Sequence, residues 1–145
     1  MSEQEFSSEA VFSIKLHIVL VTKNRQNLFR GEIKVKLRDV IREICEDQRV
    51  EILEGNISSD HVHLLVSIVP KVNINKFILL LKGKTTYALF SSFESLRQRY
   101  FNRHLWAKGC FCCSCGEVNE DLIKDYLEQQ NLKEPAAEAA EETPW

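Results

Sequence analysis

Hydrophobic positions along the chain change their period several times, and each change marks an element. Residues 11–24, "VFSIKLHIVLVTKN", are rich in Val and Ile, with Lys15, His17 and Lys23 on alternate positions, which predicts a β-strand. Residues 31–48 place Ile33, Leu37, Val40, Ile41 and Ile44 at helical spacing and predict an amphipathic helix. Residues 49–58 read as a second strand. The turn residues of "SSD" and the alternation from His61 to Val69 give a third, so 49–69 reads as a hairpin closed by Pro70. Residues 73–93 predict a helix with Phe77, Leu80, Leu81, Tyr87 and Leu89 inward; its interruption at Gly83 points to close approach of another backbone. "ESLRQRYFNR" is a short helix or a loop. Residues 104–116 read as a strand ended by Gly116, and 117–132 as a last helix with acidic residues in its first turns.

The order β-α-β-β-α-β-α implies an α+β fold. Two β-α-β halves build a ferredoxin-like or RRM-like sandwich, an antiparallel sheet with helices on one face, followed by an extra C-terminal helix. At 145 residues the chain fits one domain. Three segments are expected: an acidic arm over 1–10, the domain over 11–131, and an acidic low-complexity tail over 132–145 that is too polar and repetitive to pack.

Charge sharpens this division. The arm holds Glu3, Glu5 and Glu9 and no base, a charge of −3. The tail sets Lys133 against Glu134, Glu138, Glu141 and Glu142, again −3. With a net charge of −2, the body carries +4. A mildly basic body permits a polyanionic partner without requiring one. The apolar runs are too short to span a bilayer, and the polar, acidic start is unlike a signal peptide, so a cytoplasmic protein without membrane association is expected. Five cysteines, four of them in "CFCCSC", fit thiols better than a disulfide framework.

Candidate chemistry begins in "ISSDHVHLLVSIV". Residues i and i+2 of a strand share a face, so His61 and His63 project together, with Val62 and Leu64 opposite. Two neutral imidazoles in that arrangement are a natural pair of ligands for a divalent metal. The competing reading is one hydrogen-bonded and one half-exposed histidine, and two ligands alone hold a metal poorly. In the last helix Tyr126 and Gln130 stand four residues apart, hence on one face. Tyr126 is either a core residue beside Leu122, Ile123 and Leu127 or a functional one. Glutamine is unusual in a core, and its amide oxygen is a legitimate third ligand. A phenol beside a His-His-Gln metal site would make a phosphoryl-transfer centre: a Lewis acid polarises the phosphodiester, and the tyrosine forms a covalent phosphotyrosine.

With these residues in place, "DHVHLLVS", "KGKTT", "LW" followed by "GCFCCSCG", and "IKDYLEQQ" resemble, in this order, the HUH single-tyrosine transposases of the smallest insertion sequences. They are also similar to the REP-associated tyrosine transposases. The resemblance covers roughly residues 11–131, with "HIVLVTKNR" matching the family's opening strand. It implies a DNA transposase that cleaves and rejoins single-stranded DNA at the ends of its element. By the resemblance His61, His63 and Gln130 hold Mg²⁺ or Mn²⁺. Tyr126 attacks a DNA phosphate, leaving a 5′-phosphotyrosine and a free 3′-OH. The resemblance also implies a homodimer that recognises imperfect DNA hairpins, associates with the nucleoid when acting, and in some members lends the tyrosine helix of one subunit to the histidines of the other. The chain departs from the family pattern at Leu20, where an aromatic is usual, at Asn24, where Tyr is usual, and in its cysteine-rich strand. None of these touches the expected chemistry.

Other readings compete. A structural zinc site on the C-x-x-C spacings, Cys110 with Cys113 or Cys112 with Cys115, needs four thiolates around one ion, whereas one strand sends alternate residues to opposite faces. An RNA-binding module of this topology reads bases with aromatics on its central strands, and 49–58 and 61–69 hold none. A catalytically silent or domesticated binder of single-stranded nucleic acid is the main alternative. It would bind DNA regardless of metal and of Tyr126. Lys23, Arg25, Lys82 and Lys84 are the candidate contacts to DNA phosphates, with Arg30, Arg97, Arg99 and Arg103 as further basic positions.

Overall fold

The computed structural model describes residues 13–99, 104–114 and 120–130. The expected acidic arm and tail lie outside these residues. Strands β1 (Ile14–Val21), β2 (Glu51–Ile57), β3 (His61–Ile68) and β4 (Phe111–Cys113) form one antiparallel sheet in the order β2-β3-β1-β4. Helices α1 (Gly31–Asp47), α2 (Ile74–Ser92), α3 (Glu94–Arg99) and α4 (Glu120–Gln130) complete the described chain. The α+β sandwich and its extra helix are as expected. One detail differs: β1 and β3 are the central strands and β2 is an edge. Base stacking of the RNA-module kind stays disfavoured, because "IKLHIVLV" of β1 has no Phe, Tyr or Trp either.

The core lies between the sheet and α1 and α2. Leu16, Ile18 and Leu20 of β1, with Val62, Leu64, Val66 and Ile68 of β3, meet Leu37, Ile41 and Ile44 of α1 and Phe77, Leu81 and Leu89 of α2. Each such side chain contributes about 1.5–3 kcal/mol by leaving water. The α2 stripe differs from the expected one at two places. Tyr87 is 77% exposed and Leu80 only partly buried, whereas Ile78, Thr85 and Phe90 are buried. Gly83 has nothing within 4 Å of where its Cβ would stand, so no backbone approaches it. Asn73 caps α2 by accepting from the backbone N–H of Lys76. Among the described residues, no helix is long and apolar enough to cross a membrane.

Two local features aim the other face of the sheet. A bulge in β2 between Ile52 and Glu54 leaves Leu53 unpaired, after which Glu54 stands opposite Leu65 and Asn56 opposite His63. The predicted first strand ends early: residues 23–25 turn in a 3-10 helix with Asn24 and Arg25 at positive φ. The segment that follows clamps the turn before β3. Thr22 N–H donates to the Asp60 carbonyl, and Leu28 and Phe29 N–H both donate to the Ser59 carbonyl.

Candidate active site

Strand alternation decides which side chains can meet. Val62, Leu64, Val66 and Ile68 face the helices and are buried; His61, His63, Leu65 and Ser67 face the opposite side. The register carries that side across the sheet. Asn56, His63, Val19 and Phe111 form one row, and Glu54, Leu65, His17 and Cys113 the next. His61, opposite Val21, begins the strand.

The two histidines are held differently. Nδ1 of His61 lies 2.7 Å from Oδ1 of Asp60, whose Oδ2 accepts from Nε of Arg25 at 3.0 Å. Burial pushes the Asp60 carboxyl up, but the hydrogen bonds and charges of His61 and Arg25 outweigh it and hold the group below the usual carboxylate range. An ionised carboxylate only accepts, so the proton of His61 sits on Nδ1 and Nε2 offers a lone pair. The sequence weighed Asp60 mainly as a turn residue; its contact with His61 makes it the group that orients that ring.

His63 leans on a residue to which the sequence assigned no role. Its Nε2 lies 3.1 Å from Nδ1 of His17, with ring centroids 5.4 Å apart. Burial, then the proximity of His17 and His61, lowers the pKa of His63; burial lowers that of His17 against the pull of Glu54. Both rings are therefore neutral at pH 7, the form that binds metal. Among the described residues, Nε2 of His17 and Oδ1 of Asn56 are buried without a hydrogen-bond partner. Placing the shared proton on Nδ1 of His17 avoids stranding an N–H at its Nε2; the His63 Nε2 lone pair that accepts this proton is the one a metal would take in its place. Two unpartnered acceptors beside two neutral imidazoles suit an incoming cation or its water. No group of three His, Cys, Asp or Glu among the described residues could hold a metal ion. The histidine pair is therefore joined by no third His, Cys, Asp or Glu among the described residues. Gln130 ends α4, and its side chain lies outside what the structure describes.

Tyr126 shares this face. Helix α4 lies against β1 of its own chain, and the Tyr126 ring packs on Phe111 with centroids 5.7 Å apart and planes at 52°. The half-buried phenol is pushed up to about 12 by burial and by the neighbouring Cys110 and Cys112 thiols. Phe111 stands two strands from His63, a lateral distance of roughly 10 Å. Among the described residues, no hydrogen bond joins Tyr126 to either histidine.

The four candidate phosphate contacts separate into two kinds. Arg25 is buried and paired with Asp60, and Lys82 donates to the carbonyls of Ala107 and Gly109 at 3.0 and 2.6 Å. Lys84 is exposed and Lys23 half-buried. Sequence reasoning left His17 unassigned and took Arg25 for a surface cation. The signal for His17 was its place on alternate positions with Lys15 and Lys23, but only the β1–β3 register sets it beside His63.

Residues 10–130 match the family described as Transposase IS200 like. This chain belongs to the IS200-like transposase family. It is 33% identical over 130 residues to the transposase for insertion sequence element IS200 of Salmonella typhimurium, covering 90% of this chain and 85% of that one. It is 28% identical over 124 residues to the ISDra2 transposase TnpA of Deinococcus radiodurans, covering 86% and 89%. A crystal structure of a putative transposase from Deinococcus radiodurans superposes with a TM-score of 0.81 at 27% identity, over 88% of this chain and 98% of that one. A REP-associated tyrosine transposase solved on a REP hairpin shares the fold, with a TM-score of 0.56 at 14% identity over 86% and 67%. The resemblance drawn from the motifs is borne out, and with it the assignment as a DNA transposase.

Proposed function

We propose that this transposase cleaves and rejoins single-stranded DNA at the ends of its element, with Tyr126 as nucleophile and His61, His63 and Gln130 as ligands of a divalent metal. The observation that carries the reading is the shared face: His61 with its tautomer fixed by Asp60, His63 beside it, and Tyr126 over Phe111 on the same side of the sheet. A DNA backbone would lie across the roughly 10 Å that separates them. The phenolic oxygen bonds to phosphorus, the bond to the 3′ oxygen breaks, and one DNA flank leaves with a 3′-OH while the other stays as a 5′-phosphotyrosine. With its pKa near 12 the phenol is protonated at neutral pH and is a weak nucleophile unaided. Bound Mg²⁺ or Mn²⁺ supplies Lewis-acid polarisation of the phosphodiester. Two imidazole donors favour Mn²⁺ over the oxygen-seeking Mg²⁺, so Mn²⁺ is expected to act at the lower concentration. Lys84 and Lys23 are the proposed phosphate contacts, and Arg25 and Lys82 are given to the framework instead.

The test uses labelled single-stranded DNA carrying a hairpin from the element's own ends, with Mn²⁺, Mg²⁺ or EDTA. A covalent adduct should form with metal and vanish in Tyr126→Phe and in His61→Ala. An adduct that survives both changes overturns the assignment. We propose a homodimer as the working form, tested by its mass in solution, and mixing Tyr126→Phe with His63→Ala tells which subunit completes each site. Recovery of the adduct in the mixture means that one subunit's tyrosine serves its partner's histidines; no recovery means that each chain completes its own site.

A further inference from the structure

The cysteine-rich strand plays no part in the chemistry above, yet its geometry is specific. Sγ of Cys110 and Sγ of Cys112 lie 3.6 Å apart. Cys112 is exposed and Cys110 half-buried, and neither is in a disulfide. Lys82 holds the loop before them through the carbonyls of Ala107 and Gly109, and its charge acts on Cys110. Phe111, between the two cysteines, is the residue on which Tyr126 rests.

We propose that Cys110 and Cys112 are a modification site for hydroperoxides, a thiol pair that closes reversibly to a disulfide and so displaces the platform of Tyr126. The second half rests on the reading of Tyr126 as nucleophile. The Cys110 thiol is drawn down to about 7 by the hydrogen bond from Cys112 and, against the cost of burial, by Lys82, while that bond and burial push Cys112 up. The pair therefore holds one proton near neutral pH, with Cys110 as the thiolate that reacts. The Cys110 sulfur attacks the O–O bond of hydrogen peroxide. An S–O bond forms, the O–O bond breaks, and hydroxide leaves and takes a solvent proton. Cys112 then loses its proton, its sulfur bonds to that of Cys110, and the S–O bond breaks with release of a second water. Two thiols have been oxidised and one peroxide reduced to two waters.

Residues two apart in an extended strand have Cα atoms about 6.6 Å apart, near the upper end of what a disulfide spans. Cys110 sits just before the strand and follows Gly109 at φ +77°, so the loop side has freedom to adjust. A bond closed in this way is strained and exposed, which makes it easily reduced and suits a switch rather than a staple. Closure draws together the residues on either side of Phe111, whose position sets that of the phenol.

The full-length chain is exposed to hydrogen peroxide, alkylated, digested and weighed by mass spectrometry. The Cys113→Ser/Cys115→Ser background leaves Cys110 and Cys112 as the only cysteines in their tryptic peptide. That peptide should lose two hydrogens and both alkylation sites, and regain them with dithiothreitol. Cys112→Ser should abolish closure. Adduct formation by the oxidised wild type should fall about tenfold or more, since a misplacement of about 1 Å can cost about a hundredfold, and Cys112→Ser should resist that loss. Persistent alkylation of both thiols, oxidation only to sulfinic acid, or closure that needs Cys113 or Cys115 would overturn the site. Closure with an unchanged adduct rate would overturn its link to Tyr126. Failure of Tyr126 itself is read separately, from an adduct that persists in Tyr126→Phe.

Discussion

The two faces of β3 are made by one strand and built to opposite rules. On the helix side Val62, Leu64 and Val66 are fully buried among apolar side chains, where shape and volume decide stability. On the other side His61 and His63 are half-buried, each ring fixed by one polar neighbour, and acceptors nearby go unpaired. A core would eliminate those unpaired atoms. The contrast teaches that the closed face holds the strand still while the open face keeps its polar groups available.

Substitutions one residue apart should therefore fail in different ways. His63→Ala is expected to lower adduct formation beyond about a hundredfold, while costing only about 1–2 kcal/mol in unfolding free energy, from the His17 N–H it leaves unpaired. Leu64→Ala should do the reverse, costing about 2–5 kcal/mol in chemical denaturation and leaving the rate per folded molecule unchanged. If Leu64→Ala alone abolished cleavage in a folded sample, the division between the faces would break.

Asp60 joins the two regimes, because it is buried like the core and serves the open face. Asp60→Asn keeps an acceptor for His61 but removes the charge, and is expected to weaken Mn²⁺ binding about 10- to 100-fold in calorimetric titration. Asp60→Ala additionally strands the buried Arg25 guanidinium, a loss of about 3 kcal/mol in stability. Equal metal affinity in Asp60→Asn and the wild type would remove the orienting role.

The smallest effect concerns Tyr126. Its folded pKa is raised, so its uncharged form contributes stability that is complete below the ordinary tyrosine value of about 10. That contribution is lost as pH rises through about 12. An ultraviolet titration should show a late phenol step that disappears in Tyr126→Phe. Absence of that late step would mean that α4 does not cover the ring.

Much of this was legible in the chain. Period-2 alternation placed His61 and His63 together, helical spacing put Tyr126 and Gln130 on one face, and the element order gave the sandwich. What escaped was set by pairing between distant strands. His17 meets His63 only through the β1–β3 register, and Arg25 turns inward because residues 23–25 leave the strand to reach Asp60. Tyr87 was misplaced because the stripe of α2 that meets the sheet runs through Ile78, Thr85 and Phe90. The family resemblance added the expectation that Tyr126 works with the histidines, which no spacing within one helix reveals.

The bulge at Leu53 acts as a change of phase. Before it, odd residues of β2 share a side with the histidines; after it, even ones do, which brings Glu54 and Asn56 round to them and turns Ile57 inward. One unpaired residue thus resets the phase of that strand. Straightening it, with Leu53 paired opposite Leu65, would perfect the backbone ladder while driving the Glu54 carboxylate into hydrocarbon and Ile57 out to water, so the irregular strand is the one compatible with this sequence.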